Sequence, residues 1–326
     1  MADWLTEKYR GSRSGTLSEF RAAYPLKKKI GSGTFGQVYD ACMVESGEDV
    51  VVKIVAGDIS GVYEAQIQDV LSHRNILPIL DSWVSPTYSA LVFPKACMNL
   101  HHFVQGCRGN VTQSQLVSIS TQMCKAIAYL HAQSILHRDL HAGNVLLTWQ
   151  GGMSPAEVSV AHVEISDFGK SCIAPGDGSM VLPIHYRPPE LLFAHGSVLR
   201  CSDELFGKYT YQEADIVEYD YNVDVWPLGC MLVLIDCGEL PFGCSRDGTE
   251  YAKRLLSTMG APSKQEIKMK RWTMLTTRIG IQFMETYSRR TAPPIWKRVE
   301  RLAQSIFQYQ SVARPQASRL AQLLPA

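Results

Sequence analysis

The first third of the chain alternates short apolar runs with polar turn residues, a pattern that predicts β-strands. Strand-like runs begin near Leu26 and recur as DVVVKIV, ILPILDSWV and SALVF, with turn residues such as those at 45–48 between them. One stretch, 63–71, has a helical period instead, because Ile67 and Val70 share a face. We therefore expect an antiparallel sheet interrupted by one helix.

The remainder of the chain has mainly helical periods. An apolar stripe on the segment VTQSQLVSISTQMCKAIAYLHAQ predicts an amphipathic helix, and it consists of Leu116, Ile119, Met123, Ile127 and Leu130. The fold class is thus α+β, with a small β-rich part and a larger helical part that meet near 94–98. Residues 1–24 are polar with a Gly/Ser-rich patch, which predicts a flexible lead-in or a short docking arm.

Composition narrows the class of protein. A chain of 326 residues that is 46% hydrophobic can bury a large core, as one two-lobed domain or two ordinary ones. The formal net charge of +1 gives no global attraction to nucleic acid or an anionic membrane, and we expect neither as a partner. The longest apolar run, 230–235, is far shorter than the roughly 20 residues of a membrane span.

The N-terminal residues MADWLTEKYR lack the apolar core of a signal peptide, so we expect an intracellular protein, cytoplasmic or nuclear. The nine cysteines form no CxxC pair and no metal-ligand spacing with the histidines. They are expected to be reduced thiols that serve mostly in packing.

A glycine-rich segment and a lysine in an apolar strand are the first candidates for chemistry. The segment runs from Gly31 to Gly36 as GSGTFG and is followed by Val38, a form in which a bare backbone can lie against phosphate oxygens. Strand-like sequence follows it. This favours a hairpin that covers a nucleotide, because a dinucleotide-binding fingerprint would lie between a strand and a helix. In VVVKIV, Lys53 projects from valines, and Glu64 can hold its ammonium group against phosphates.

The strongest signal is the run from His137 to Asn144, HRDLHAGN. It places the carboxylate of Asp139 five residues before the carboxamide of Asn144, which matches a base for a hydroxyl proton and a magnesium ligand on one loop. The run Asp167-Phe168-Gly169 follows the strand-like VEIS, and its carboxylate is the expected second metal ligand.

With these motifs in this order, the chain resembles the eukaryotic protein kinase family from about Leu26 to Leu323. The resemblance implies a bilobal fold with an ATP cleft between a small β-rich lobe with one helix and a larger, mainly helical lobe. Its boundaries would be an N-terminal extension at 1–25, an N-lobe at 26–94, a hinge at 95–99 and a C-lobe at 100–323, with an insertion at about 194–221. ATP and Mg²⁺ are the implied cofactors, and protein Ser/Thr hydroxyls are the implied acceptors.

The resemblance also assigns roles to residues. The catalytic set would be Asp139, Lys53, Glu64, Asn144 and His141. The ATP-binding set would be Ile30, Gly31, Gly33, Gly36, Val38, Val51, Lys53, Phe93 as gatekeeper, Pro94, Ala96, Asn99, Leu146 and Asp167. The metal ligands would be Asn144 and Asp167.

Two segments are similar to the CMGC branch, which holds the cyclin-dependent and MAP kinases. They are YRPPELL at 186–192 and LLSTMGAP at 255–262. In that family the carboxylate of Glu190 would pair with Arg314, and Asp224 would brace the catalytic loop. No segment resembles a cyclin-contacting helix, so no cyclin-type partner is expected, and we expect a monomer.

Three positions depart from the family pattern. His141 stands where Ser/Thr kinases usually carry a lysine that touches the γ-phosphate, and at cytosolic pH it would be mostly neutral. Val51 replaces a small alanine and should narrow the adenine pocket. Gln68 takes an apolar position on the helix, and because an unpaired buried amide costs about 1–3 kcal/mol, we expect an adjusted or shifted helix.

The segment between Asp167 and Glu190 leaves substrate class and regulation open. Pro183 is typical of tyrosine kinases, whereas the branch motifs favour Ser/Thr. Ser171 and Ser179 are candidates for activating phosphorylation, because Arg138 could pair with a phosphate there. A loop that needs no phosphate is the alternative.

The insertion at 194–221 is acidic, and two hypotheses apply to it: a docking site for basic substrates or a regulatory protein, or a solvated loop. The departures also keep open the alternative that the chain is a pseudokinase scaffold, which binds nucleotide weakly without catalysis. A small-molecule kinase is a further alternative, but that class lacks the glycine-rich lid and the PPE segment.

Overall fold

A computed structural model gives the architecture of most of the chain. It describes residues 11–33, 36–56, 59–85, 87–150, 152–159, 161–176, 181–194, 219–263 and 296–324. Over these ranges a small sheet-rich lobe precedes a larger, mainly helical lobe, which confirms the α+β class.

The small lobe is built on one twisted sheet with the strand order β1-β5-β6-β4-β3-β2. Its strands are β1 (Arg13–Ser14), β2 (Leu26–Gly33), β3 (Gly36–Cys42), β4 (Asp49–Ala56), β5 (Asp81–Val84) and β6 (Tyr88–Pro94). Neighbouring strands are antiparallel except β1, which runs parallel to β5. The helices of this lobe are α1 (Leu17–Ala23) and α2 (Ile59–Val70).

Helix α1 is a structural element of the small lobe. Thr16 caps it through a reciprocal hydrogen-bond pair with Glu19. Phe20 is fully buried, with its ring centroid 5.8 Å from that of Trp83 on β5. The Tyr24 hydroxyl donates to a carboxylate oxygen of Asp81 at 2.8 Å. Residues 13–24 therefore pack onto the sheet and are not the flexible lead-in that their polar composition predicted, because a short capped helix needs only a few apolar side chains to dock.

The large lobe is organised around two buried helices. Its helices are α3 (Leu100–Gly106), α4 (Gln113–Ala132), α5 (Pro189–Ala194), α6 (Asn222–Cys237), α7 (Gly248–Met259), α8 (Glu300–Ile306) and α9 (Ala317–Leu320). The predicted apolar stripe of α4 is buried along its whole length. Helix α6 is buried on nearly every side and ends at Gly238, whose φ of +81° suits a residue without a side chain.

Short strands of the large lobe carry the loops of the candidate site. They are β7 (Met98–Asn99), β8 (Ile135–Leu136), β9 (Val145–Thr148), β10 (His162–Ile165) and β11 (Cys172–Ile173). Strands β9 and β10 are antiparallel, with Val145 opposite Ile165. Consequently the residue before β9 and the residues after β10 lie side by side.

Two further expectations concern the described ranges as a whole. None of the helices described there is long and apolar enough to cross a lipid bilayer. The cysteines of these ranges are free thiols.

Candidate active site

Lys53 on β4 forms a buried three-group cluster with two carboxylates. Its Nζ lies 2.8 and 2.7 Å from the two carboxylate oxygens of Glu64 on α2, and 2.7 Å from Oδ1 of Asp167. The Lys53 side chain is 9% exposed and that of Glu64 only 2%. Burial alone would lower the pKa of Lys53, but the two carboxylates outweigh it and raise that pKa, so the ammonium stays charged.

The two carboxylates of this cluster have opposite pKa shifts. Burial raises the pKa of Glu64, against the attraction of Lys53. Burial also acts to raise the pKa of Asp167, but there the charge and hydrogen bond of Lys53 prevail and the pKa falls below its ordinary value. Asp167 is thus ionised and suited to a cation.

The glycine-rich segment forms a hairpin, as its strand-like context predicted. Gly33 at the end of β2 pairs with Gly36 at the start of β3, and the turn at 34–35 lies outside the described residues. Gly36 has φ +134°, and a Cβ there would collide with the carbonyl oxygen of Ile54 on β4. Val38 lies opposite Lys53 in the ladder, which places this hairpin beside the cluster.

The residues assigned to the adenine pocket lie where the two lobes meet. Val51 is opposite Phe93 in the β4–β6 ladder, and Leu146 on β9 packs against the small cluster that contains Phe93. The other assigned residues lie on β2 (Ile30 and Gly31), at the end of β6 (Pro94), in the segment between the lobes (Ala96) and on β7 (Asn99). The Asn99 side-chain oxygen accepts the His102 N–H at 3.0 Å, so this residue also caps α3.

The loop from His137 to Asn144 is held from below by a carboxylate on α6. Asp224 is fully buried, and its two oxygens accept the backbone N–H groups of His137 at 2.8 Å and Arg138 at 2.9 Å. Burial acts to raise its pKa, but hydrogen bonds and the neighbouring His131 bring it below its ordinary value. Arg138 has φ +66°, a strained conformation for a non-glycine residue, and the Asp224 bonds keep the loop in it.

Asn144 and Asp167 are brought together by the β9–β10 hairpin. The backbone N–H of Ser166 donates to the carbonyl of Asn144 at 2.9 Å. The Asn144 side-chain nitrogen donates to the carbonyl of Asp139 at 2.9 Å, which leaves its side-chain oxygen as an acceptor. A carboxylate and an amide oxygen on adjacent segments fit a magnesium ion, which takes few protein ligands.

His141 takes the position of the usual catalytic-loop lysine, whereas the positive charge near Asp139 comes from Lys170. The His141 Nδ1 accepts the Gly143 N–H at 3.0 Å, so that nitrogen carries no proton and the ring is neutral. Burial also lowers the pKa of His141. Lys170 places an ammonium group beside the catalytic loop, with its Nζ 3.0 Å from Oδ1 of Asp139. Lys170 was not among the residues predicted for the site, because nothing in the sequence near it or near Asp139 indicates their contact.

Helix α2 was expected to be adjusted or shifted at Gln68, and the structure shows no shift that separates Glu64 from Lys53. Gln68 is 1% exposed, yet Glu64 one turn earlier reaches Lys53. The Gln68 side-chain nitrogen donates to the carbonyl of Leu77 at 2.6 Å, so half of the amide is satisfied in place. Its oxygen has no hydrogen-bond partner in the described part of the chain.

Ser171 and Arg138, which were expected to carry and to bind an activating phosphate, are engaged by other groups. Ser171 is 1% exposed and its hydroxyl donates to the carbonyl of His137 at 3.3 Å, so it is not accessible to another kinase in this conformation. Ser179 lies outside the described residues. The Arg138 guanidinium, expected to meet a phosphate, donates to the Tyr219 hydroxyl at 3.0 Å. Nothing in the sequence around either residue indicates this contact across 81 positions.

Glu190 and Arg314 form the buried pair that the resemblance implied. Both guanidinium nitrogens lie 2.6 Å from carboxylate oxygens, and the side chains are 6% and 0% exposed. The acidic insertion at 194–221 falls almost entirely outside the described residues.

Comparison with known proteins agrees with this geometry. Residues 24–323 match the protein kinase domain family. Over 286 residues the chain is 27% identical to the CTD kinase subunit alpha of Schizosaccharomyces pombe, an alignment that covers 84% of this chain and 44% of that protein. Over 219 residues it is 29% identical to a probable cell division protein kinase of Encephalitozoon cuniculi, which covers 64% of this chain and 69% of that one.

A third relative is a probable serine/threonine-protein kinase of Dictyostelium discoideum, 30% identical over 263 residues, or 72% of this chain and 26% of that protein. The matched region is less than half the length of the Schizosaccharomyces and Dictyostelium relatives. Since the family match extends over nearly all of the sequence, and the relatives include CTD and cell division kinases, the chain belongs to the eukaryotic protein kinase family and is CMGC-like.

Proposed function

We propose that this chain is an ATP-dependent kinase that phosphorylates serine or threonine hydroxyls of proteins. The observation that supports it best is the complete Lys53–Glu64–Asp167 cluster beside the loop that carries Asp139 and Asn144. A kinase fold that has become a scaffold usually loses one of these groups, and here all five are present.

The chemistry assigned to these residues is an in-line transfer. Lys53 positions the α- and β-phosphates of ATP, and Glu64 holds Lys53. Asp139 orients the acceptor hydroxyl and takes its proton as the oxygen forms a bond to the γ-phosphorus. The bond from that phosphorus to the β,γ-bridging oxygen breaks, and ADP leaves with the electron pair. Asn144 and Asp167 would hold Mg²⁺, which supplies charge neutralisation.

Acceptor class and partners belong to this proposal. Two Dictyostelium relatives are called serine/threonine-protein kinases, which together with the CMGC-like segments supports Ser/Thr acceptors. Pro183, which precedes the short 3₁₀ helix Ile184–Tyr186, is the feature that favours tyrosine as the acceptor residue. The acidic insertion at 194–221 stays a predicted docking surface for basic substrates or a regulatory protein. Deleting part of it should change substrate preference more than ATP affinity.

The test is transfer of labelled γ-phosphate from MgATP to a mixed protein substrate, with phosphoamino-acid analysis and Asp139→Asn as the control. Phosphoserine or phosphothreonine that disappears in the control supports the proposal. Phosphotyrosine would mean that Pro183 outweighs the branch segments. Folded protein that binds nucleotide without transfer would be a scaffold.

A further inference from the structure

The catalytic loop of this kinase lacks the lysine that Ser/Thr kinases usually carry two residues after the catalytic aspartate. Phosphoryl transfer concentrates negative charge on the γ-phosphoryl oxygens, and positive groups placed there before the reaction stabilise the transition state. The family's usual lysine is replaced by His141. Its Nδ1 is already engaged as the acceptor for the Gly143 N–H, so the ring supplies no full positive charge.

A different lysine occupies this part of the site. Lys170 follows Asp167-Phe168-Gly169 directly, and its Nζ lies 3.0 Å from Oδ1 of Asp139. The two side chains are 28% and 7% exposed, so the ammonium lies at the open side of a buried carboxylate. A lysine side chain with this exposure can still reach an incoming phosphate.

The backbone of Lys170 is fixed as well. Its carbonyl accepts a hydrogen bond from Nε of Arg138, the residue before Asp139. The next residue, Ser171, is tied to the same loop through the carbonyl of His137. The backbone carbonyl and the side-chain ammonium of Lys170 therefore both contact the catalytic loop, which is not the arrangement of a solvated surface lysine.

We propose that Lys170 replaces the missing catalytic-loop lysine: its ammonium bridges Asp139 and the γ-phosphoryl group of bound ATP. This inference rests on the proposed function. As the acceptor oxygen bonds to the γ-phosphorus and the bridging bond to ADP breaks, Lys170 neutralises the equatorial oxygens, while the hydroxyl proton passes to Asp139. The charge is thus supplied from the position directly after Asp167-Phe168-Gly169 and not from the position two residues after Asp139.

The test compares Lys170→Met, Lys170→Arg and the double variant Lys170→Met with His141→Lys. The matched control is Lys27→Met, because Lys27 also pairs with an aspartate, Asp49, but on an exposed strand edge. The readouts are kcat, the KM for ATP, and the affinity for Mg²⁺-bound AMP-PNP relative to Mg²⁺-bound ADP by calorimetry.

We expect Lys170→Met to lower kcat about 10²-fold with little change in KM. It should lower the preference for the triphosphate analogue over ADP roughly tenfold, because only the triphosphate presents the γ group. Lys170→Arg should have a kcat between those of the wild type and Lys170→Met. Adding His141→Lys to Lys170→Met should raise kcat at least tenfold, and the Lys27→Met control should match the wild type.

Three results would overturn the proposal. A kcat for Lys170→Met within threefold of the wild type would mean that the lysine is a bystander. An increase would mean that it blocks Asp139. A fall in kcat with the triphosphate preference unchanged would mean that it only supports the loop. If the wild type transfers no phosphate, the proposed function fails, whereas the calorimetric preference still decides whether Lys170 contacts the γ group.

Discussion

Two buried aspartates on one helix allow support of the catalytic loop to be separated from support of the fold. Asp224 near the start of α6 accepts the backbone N–H groups of His137 and Arg138. Asp236 near its end is 1% exposed and accepts the backbone N–H of Arg298 at 2.9 Å and its Nε at 2.7 Å. The first carboxylate holds the loop that carries Asp139, and the second holds a segment remote from it in sequence.

Replacing either aspartate by asparagine should cost a similar free energy of unfolding. An asparagine keeps one acceptor oxygen and sets an NH₂ against the other donor, so one backbone or guanidinium N–H loses its partner. Hydrogen bonds to a charged group are worth about 1.5–3 kcal/mol, and a buried orphan donor costs a similar amount. We expect a loss of about 2–4 kcal/mol for each variant, measured by urea unfolding.

The two variants should differ in activity. In Asp224→Asn the N–H groups that hold the strained Arg138 are no longer both paired, so Asp139 moves, and a misplacement of about 1 Å can cost 10²-fold in rate. We expect kcat to fall by about that factor in Asp224→Asn and to stay within threefold of the wild type in Asp236→Asn. The assay is phosphate transfer at a temperature where circular dichroism shows both proteins folded. Equal losses of kcat, or a fully active Asp224→Asn, would refute this reasoning.

Three other substitutions follow from the same contacts. Arg314→Leu leaves the Glu190 carboxylate buried and unpaired and should lower the free energy of unfolding in urea by about 3–5 kcal/mol. Arg254→Leu removes an exposed ion pair and should lower it by less than about 1 kcal/mol. Similar losses for the two variants would contradict the role of burial. Tyr219→Phe removes the hydroxyl that accepts from a guanidinium and should destabilise the protein by about 1.5–3 kcal/mol; an unchanged unfolding midpoint would contradict this. Val51→Ala should increase the affinity of bulky ATP-site inhibitors, measured by competition, with ATP affinity as the reference; unchanged inhibitor affinity would mean that Val51 does not limit the pocket.

The residues that could be predicted from sequence are those whose roles are set within one short segment. Asp139 and Asn144 share a loop, and the alternation around Lys53 shows a cation on an apolar strand. Because the reaction requires these groups at fixed spacings, the spacings themselves indicate the roles of the residues. The hairpin over the cluster was also predictable, because strand-like sequence follows Gly36.

The parts that could not be predicted depend on pairings that the tertiary fold creates. The contact of Lys170 with Asp139 joins residues 31 positions apart, and that of Arg138 with Tyr219 joins residues 81 apart. Nothing local to either partner specifies the other. Gln68 shows the converse: its local pattern predicted a displaced helix, but the carbonyl of Leu77 was available to accept the amide.

The contact between Arg138 and Tyr219 also bears on how the segment after Asp167 is held. A phosphate would present two negative charges to a guanidinium, whereas a tyrosine hydroxyl presents a neutral acceptor, so this bond is weaker but needs no upstream kinase. The same tyrosine accepts the N–H of Gly176 at its carbonyl, at 3.0 Å, and a Cβ on Gly176 would collide with its ring. Tyr219 thus joins the catalytic loop and the segment after Asp167 at once. The Tyr219 hydroxyl contacts Arg138 on the catalytic loop, and its ring packs against Gly176 in the segment after Asp167. Loss of the hydroxyl should therefore remove the hydrogen bond to Arg138 and leave the packing against Gly176 in place. Tyr219→Phe thus separates the effect of the hydrogen bond from that of the ring.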